Sequence, residues 1–453
     1  MVLWNREIFY KTYQSLPLTV PKIVFFENFA YILLTDRSIT AVYALRVRVV
    51  RVQFPAVRQM KKNSLPSYLY LIFGVGFFSA VFHGLGLLKI LPWYFVYSDT
   101  LGFFERATAA GFPYISKFIE YPVITGLFIQ LGGFLGESRA GYYWISVAGL
   151  IACAVIATYF LYQILPETQK GRLLRYWIFA PSMVIFLTTN WDILAITLVV
   201  AALYFFHKEK WYWGAFLLSL GFSTKFYPIL YFLPLLIKVP RWKNRLAIIG
   251  IFVATTAALN GFFAYYHFDF WYYFYSLNAL RDPNPDSVWT IIRYFIRPFE
   301  MNTVNWLSFV LFGGSYFYLI LKNRKESLLK LFTIATLLFV LCNKIFSPQY
   351  LLWLLPFFVL MPEINGFPGS RTSAIPRHNM ARNEGDSHRS FTTWFYLLEF
   401  SNLAAFFSIL PWFFLGHDMF YFYLASPFVI IRHICLIAIL FYAVKKKEIE
   451  LRR

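Results

Sequence analysis

Residues Tyr68–Pro92 read YLYLIFGVGFFSAVFHGLGLLKILP, an apolar run in which Ser79, His83 and Lys89 are the main polar interruptions. A helix rises about 1.5 Å per residue, so a run of this length covers the roughly 30 Å hydrocarbon layer of a bilayer. Its apolar residues are not restricted to alternate positions, as they would be on a strand of a membrane barrel. The run reads as a transmembrane helix.

The chain repeats that pattern at Tyr142–Leu165, Trp177–Thr188, Ile193–Phe206, Trp211–Phe222, Tyr227–Ile237, Leu246–Tyr265, Val304–Leu321, Leu328–Leu341, Tyr350–Met361, Thr393–Pro411 and Tyr421–Val444. The expected fold class is an all-α polytopic membrane protein, a bundle of about 12 transmembrane helices. Several runs are short for a full crossing, which implies tilted or broken helices packed against neighbours instead of lipid. Composition agrees, since 59% hydrophobic, 22% aromatic and only 14% charged residues over 453 positions lie outside the range of soluble domains.

The net charge of +20 does not indicate a nucleic-acid partner, because the basic residues sit in links on alternate sides of the spans. Lys170, Arg172 and Arg175, then Lys208 and Lys210, Lys238 to Arg245, Lys322 to Lys330 and the tail from Lys445 fall together on one side. That asymmetry predicts cytoplasmic N- and C-termini, with a plasma-membrane location if the chain is bacterial. Three regions are expected: a basic cytoplasmic arm over 1–66, a transmembrane domain over 67–444 with a disordered cytoplasmic loop at 363–392, and a basic tail over 445–453. The arm shows no ordered signal-peptide pattern. Cys153, Cys342 and Cys435 have no metal-ligand spacing and read as packing residues.

The opposite side gathers the unusual polar clusters. Tyr97–Pro122, YSDTLGFFERATAAGFPYISKFIEYP, carries Asp99, Glu105 and Glu120 directly after the first span. Asn190-Trp191-Asp192, Lys225-Phe226-Tyr227-Pro228 and Asn343–Trp353, NKIFSPQYLLW, lie at other outer helix ends. The last offers amide, ammonium, hydroxyl and a second amide in succession, which suits an oxyanion or phosphate. Pro348 opens the next helix and leaves backbone N–H groups pointing toward the same spot. Helix caps and a snorkelling lysine would give the same pattern without chemistry. The aromatics between His267 and Asn302, including Trp271 and Trp289, fit an interfacial belt as well as a sugar platform. Glu399 and Arg432, on consecutive spans, read as a structural ion pair within the bundle.

The ordered set, Asp99 after the first span, Tyr121-Pro122, Asn190-Trp191-Asp192, Lys225-Phe226-Tyr227-Pro228 and NKIFSPQYLLW, resembles glycosyltransferase family 87, of GT-C type membrane glycosyltransferases. The resemblance runs from about Tyr68 to Val444. It implies an enzyme that takes a sugar, mannose in related enzymes, from a polyprenyl-phosphate carrier to a lipid or glycan acceptor hydroxyl on the extracytoplasmic side. Asp99 matches the family's general base; Glu120 is a second catalytic candidate from its own position, where abutting Tyr121-Pro122 it could cap the turn or orient the acceptor. The donor phosphate would be held by Lys225, Lys344, Tyr227, Gln349, Tyr350 and Arg293, with Arg297 behind them, and the substrates by Tyr121, Asn190, Asp192, Asn343 and Ser347. Where related enzymes carry an acidic pair, this chain has Ser98-Asp99, so no metal cofactor is expected, although a divalent ion is left open. A transporter or flippase would share the polytopic pattern, but its site would lie near the bilayer midplane. A non-catalytic subunit would leave the outer acids and lysines expendable.

Overall fold

The structure, a computed structural model, describes residues 64–89, 91–296, 300–361 and 380–445, the last with its side chains from 391 onward. Residues 1–63 of the expected arm, Arg297, residues 363–379 of the expected loop and the tail beyond Lys445 lie outside the described residues. From Met380 to Phe414 the chain is helical.

Eleven helices carry the architecture: α1 Leu65–Leu88, α2 Val123–Leu135, α3 Arg139–Ile164, α4 Asp192–His207, α5 Trp211–Phe222, α6 Trp242–Tyr266, α7 Phe268–Leu280, α8 Met301–Lys322, α9 Leu328–Cys342, α10 Met380–Phe414 and α11 Met419–Lys445. No strand is formed among the described residues. Among the described residues six helices are long and apolar enough to cross a membrane: α1, α3, α6, α8, the Phe391–Phe414 part of α10, and α11. The expected count of about 12 spans is thus not confirmed, since several of the other apolar runs form helices too short for a full crossing by themselves, some of them opened by proline. Pro181, Pro228 and Pro348 each stand at the start of a short helical segment, because proline has no N–H to donate to a preceding turn. The run expected at Trp177–Thr188 becomes a turn of π-helix over Leu174–Ile178 and a short helix Pro181–Phe186. Those at Tyr227–Ile237 and Tyr350–Met361 begin as 3-10 turns.

The short helices occupy the centre. At about 1.5 Å per residue α4 is only about 24 Å long, yet Ile193, Ala195, Val200 and Ala202 are fully buried. It is flanked by α3 and α5, and α3 in turn packs on α1. Close approach of α1 to α3 needs a small residue at Gly76, where an added Cβ would stand 2.9 Å from the Ile151 side chain. α10 and α11 form an antiparallel hairpin, with α9 packed on α11. Two helices were not expected, α2 and α7.

Polar groups within this interior tie segments together. His83 on α1 lies within hydrogen-bonding distance of Val96 O, Ile185 O and Thr189 Oγ1, and Ser79 donates to Ile185 O at 3.0 Å. Arg432 does not pair with Glu399 as expected. It meets Asp286 Oδ2 at 3.3 Å and Asn402 Oδ1 at 3.0 Å, and its guanidinium stands 3.6 Å from the Phe346 ring centroid. Glu399 instead accepts the Ser182 backbone N–H at 2.6 Å. Both Arg432 and Asp286 are buried, so removing one strands the other in a low-dielectric interior.

Arg432→Leu should therefore lower stability by about 3–5 kcal/mol. A double-mutant cycle on thermal unfolding in detergent should give Asp286 and Arg432 a coupling above about 1 kcal/mol, and Glu399 and Arg432 none.

Candidate active site

The acidic segment after α1 folds as two short helical turns, Asp99–Gly102 and Phe104–Thr108, followed by a loop to α2. It is fastened to the segment before α4. Ser98 Oγ donates to Thr189 O at 3.0 Å, Thr100 Oγ1 donates to Thr188 O at 3.0 Å, and Thr100 N donates to Thr189 O at 3.1 Å. The start of α2 is fastened in turn to the segment after α5, through Ile124 N to Ser223 O at 2.9 Å and Thr125 Oγ1 to Thr224 O at 2.7 Å. Three loops distant in sequence thus share one rigid frame.

Tyr114 secures the Glu120–Pro122 corner. It sits in the left-handed region at φ 63°, and its hydroxyl donates to Tyr121 O and Pro122 O. That hydroxyl fills the place a side chain would take at Gly126, where a Cβ would lie 1.8 Å from Tyr114 Oη. Glycine at 126 is required by this approach.

Within the frame, Lys225 Nζ meets Asp192 Oδ1 at 2.6 Å, with the Asp192 side chain fully buried and that of Lys225 12% exposed. The Lys225 ammonium also stands 5.0 Å from the Tyr121 ring centroid. Phe103, Tyr121 and Trp191 meet one another edge to face, at 5.0 Å for Phe103 with Trp191 and 4.9 Å for Tyr121 with Trp191. Burial alone would pull the Lys225 pKa down, but Asp192 foremost, then Tyr350 and Asp99, hold it above its ordinary value. Asn190 is buried and its Oδ1 accepts the Asp192 N–H at 2.9 Å, so it shapes the turn that presents Asp192.

Asp99 is half-buried, and Tyr97 Oη donates to its Oδ1 at 2.5 Å. Desolvation pushes its carboxyl above the usual range, opposed by the Tyr97 hydrogen bond and by Lys225. Glu120 is also pushed up, by burial, while Arg106 at 3.1 Å favours its ionised form. Glu105 is turned away on an exposed pair with Arg139. Tyr227 is buried and stacks on Trp353 at 4.3 Å, and Tyr350 stacks on the same indole at 4.0 Å.

The NKIFSPQY loop divides the remaining candidates. Lys344 is buried and donates to Ala279 O at 2.8 Å and to Asn305 Oδ1, its pKa pushed down to about 8 by burial and then by Arg281. Asn343 Oδ1 accepts Ile345 N–H at 3.0 Å. Ser347 takes a hydrogen bond from Asn284 Nδ2 at 3.2 Å, and Gln349 is buried. Arg293 faces Asp282 at 3.9 Å. The site thus brings Asp99, Tyr121, Asp192, Lys225 and Tyr350 together, while Lys344 and Arg293 are engaged elsewhere. Arg281 was not anticipated, yet it acts electrostatically on Asp99, Glu120 and Tyr350. Among the described residues no group of three or more His, Cys, Asp or Glu is placed to hold a metal ion.

The described residues form a helical bundle in which carboxylates, a largely enclosed lysine and stacked aromatics gather at the ends of short helices. The model of glycosyltransferase family 87 matches residues 118–348. The chain belongs to that family. The match includes Glu120, Asn190–Asp192 and Lys225–Pro228 and stops at Pro348; Asp99 precedes it and is brought to these residues by the fold. A curated relative, GPI mannosyltransferase 1 of Kluyveromyces lactis, is 23% identical over 281 residues, 58% of this chain and 69% of that protein.

Lys225→Met leaves the Asp192 carboxylate buried without its counter-ion and should lower stability by about 3–5 kcal/mol. The double change Asp192→Asn with Lys225→Met should cost less than Lys225→Met alone, as read from thermal midpoints in detergent.

Proposed function

We propose that this membrane glycosyltransferase moves a hexose, specifically mannose, from a polyprenyl-phosphate donor to a hydroxyl of a lipid or glycan acceptor, with Asp99 as general base. The observation that carries this reading is the Asp99 carboxylate, held by Tyr97 and desolvated beside the Lys225–Asp192 pair. The name of the Kluyveromyces lactis relative supports mannose as the sugar. The alternation of basic links supports an extracytoplasmic site.

A sugar phosphate already carries a good leaving group. The acceptor oxygen forms a bond to the anomeric carbon as the carbon–phosphate oxygen bond breaks, the acceptor proton passes to Asp99, and polyprenyl phosphate departs. The enzyme's tasks are to remove that proton and to stabilise negative charge on the departing phosphate. Asp99 suits the first because a carboxylate raised above its usual range is a stronger base at neutral pH. Lys225, kept charged by Asp192, contributes positive potential for the second. Glu120, oriented by Arg106, is suited to fixing the acceptor.

Asp99 works only when ionised, so the rate falls as pH drops through its raised pKa, on an acid limb above the ordinary carboxylate range. Tyr97, Lys225 and Arg281 favour the ionised form, while Asp192 and Glu120 oppose it. Tyr97→Phe removes one favourable contact and should move that limb to higher pH. Asp99→Asn should lower turnover by roughly 10²–10⁴ while leaving the protein folded. The test is release of polyprenyl phosphate by purified protein given a panel of labelled lipid-linked sugars; an Asp99→Asn protein working near the wild-type rate would remove Asp99 from the role of base.

A further inference from the structure

The cations around the site differ in how far they are already engaged. Lys225 is paired with Asp192, Arg106 with Glu120, Arg139 with Glu105 and Arg293 with Asp282. Lys117 donates to three backbone oxygens, those of Arg106, Ala107 and Ala109, and Lys344 is held by Ala279 O and Asn305 Oδ1. Arg281 is different. It caps the C-terminal end of α7, is exposed, and makes no ion pair among the described residues.

Its position is nevertheless fixed. Arg281 Nη2 donates to Asn284 Oδ1 at 2.8 Å. Asn284 in turn donates through Nδ2 to Phe346 O at 2.6 Å and through its backbone N to Lys344 O at 3.2 Å. Two residues further on, Asp286 is anchored by the buried Arg432, whose guanidinium covers Phe346. One edge of the guanidinium is thus braced on the NKIFSPQY loop, and the remaining N–H groups are uncommitted among the described residues. It is braced on the NKIFSPQY loop and lies within electrostatic reach of Asp99 and Glu120 in the acidic loop and of Tyr350 and Lys344.

We propose that Arg281 binds the phosphate of the lipid-linked donor, presenting its free N–H edge to two phosphate oxygens while Asn284 fixes the other edge. This deepens, and rests on, the glycosyl-transfer reading above. A planar guanidinium matches a phosphate with two parallel hydrogen bonds, which a lysine cannot reproduce. As the anomeric bond breaks, the phosphate passes from one negative charge to two, so the contact strengthens toward the transition state and Arg281 contributes to kcat as well as to donor binding. Lys344, held nearby with its pKa near 8, adds potential without needing to touch the ligand.

The test compares wild type, Arg281→Gln and Arg281→Lys, purified in detergent, with polyprenyl phosphate as the binding probe and the labelled lipid-linked sugar as substrate. A charged hydrogen bond of this kind predicts polyprenyl phosphate binding weaker by about tenfold to a hundredfold in Arg281→Gln, with kcat reduced as well. Arg281→Lys should fall between, and all three should share one thermal midpoint. Phosphatidylglycerol serves as a second probe. If Arg281→Gln weakens it as much as polyprenyl phosphate, the residue serves the bilayer surface and the proposal is overturned. An active wild type whose Arg281→Gln form binds polyprenyl phosphate unchanged sinks this inference and leaves glycosyl transfer standing. A wild type that neither binds nor turns over any lipid-linked sugar sinks both. Should Arg281→Gln fail to fold, Arg281→Lys decides: unaltered binding and kcat count against the proposal.

Discussion

A largely enclosed ammonium beside a fully buried carboxylate is the constraint on which the candidate site depends. Desolvating an isolated ion costs several kcal/mol, which the opposite charges of Lys225 and Asp192 offset for each other. Held at 2.6 Å, they fix the end of α4 against the segment following α5. Backbone and hydroxyl bonds then extend this frame to the acidic loop through Thr188 and Thr189, and to α2 through Ser223 and Thr224. Asp99 owes its place to that frame, although its carboxylate makes no ion pair of its own among the described residues.

The broken helices serve the same end. A helix spanning the bilayer satisfies all its backbone groups internally and has little to offer a polar substrate. Where proline opens a short segment, as at Pro228 and Pro348, the helix begins as 3-10 backbone, and it is tolerated because surrounding helices bury it. The long lipid-length helices α6 and α8 are mostly exposed along their sides, whereas α4 and α9 are enclosed. The bundle divides the work between helices that meet the membrane and helices that hold loops.

Much of this was legible in the sequence. Asp99, Lys225 and Asp192 stood out because charge in so apolar a chain needs a reason, and the boundaries of α5 and α9 follow directly from their apolar runs. The pairing was not legible. Lys225 and Asp192 are separated by 32 intervening residues, and no local pattern says which acid neutralises which lysine. Arg432 was assigned to Glu399 because their spans are consecutive, but its partner Asp286 comes from a loop far earlier in the chain. α2 was missed because VITGLFIQLGGFL is short and glycine-rich, and α7 because FDFWYYFYSLNAL mixes aromatics with Asp269, Ser276 and Asn278. Arg281 was hidden among the many polar residues of that same region. The count of crossings was not settled by the apolar runs, because a run measures burial as much as span length: α4 and α9 are apolar and enclosed yet short, while α10 and α11 continue through Pro411 and Pro427.

The most direct measurement is a cryo-EM structure of the full chain with a non-hydrolysable polyprenyl-phosphate sugar. The account predicts the anomeric carbon facing Asp99 with room for one acceptor hydroxyl within about 3 Å of its carboxylate, and the phosphate on the side of Lys225 and the NKIFSPQY loop. A donor seated at the bilayer midplane, or with its sugar remote from Asp99, would contradict it.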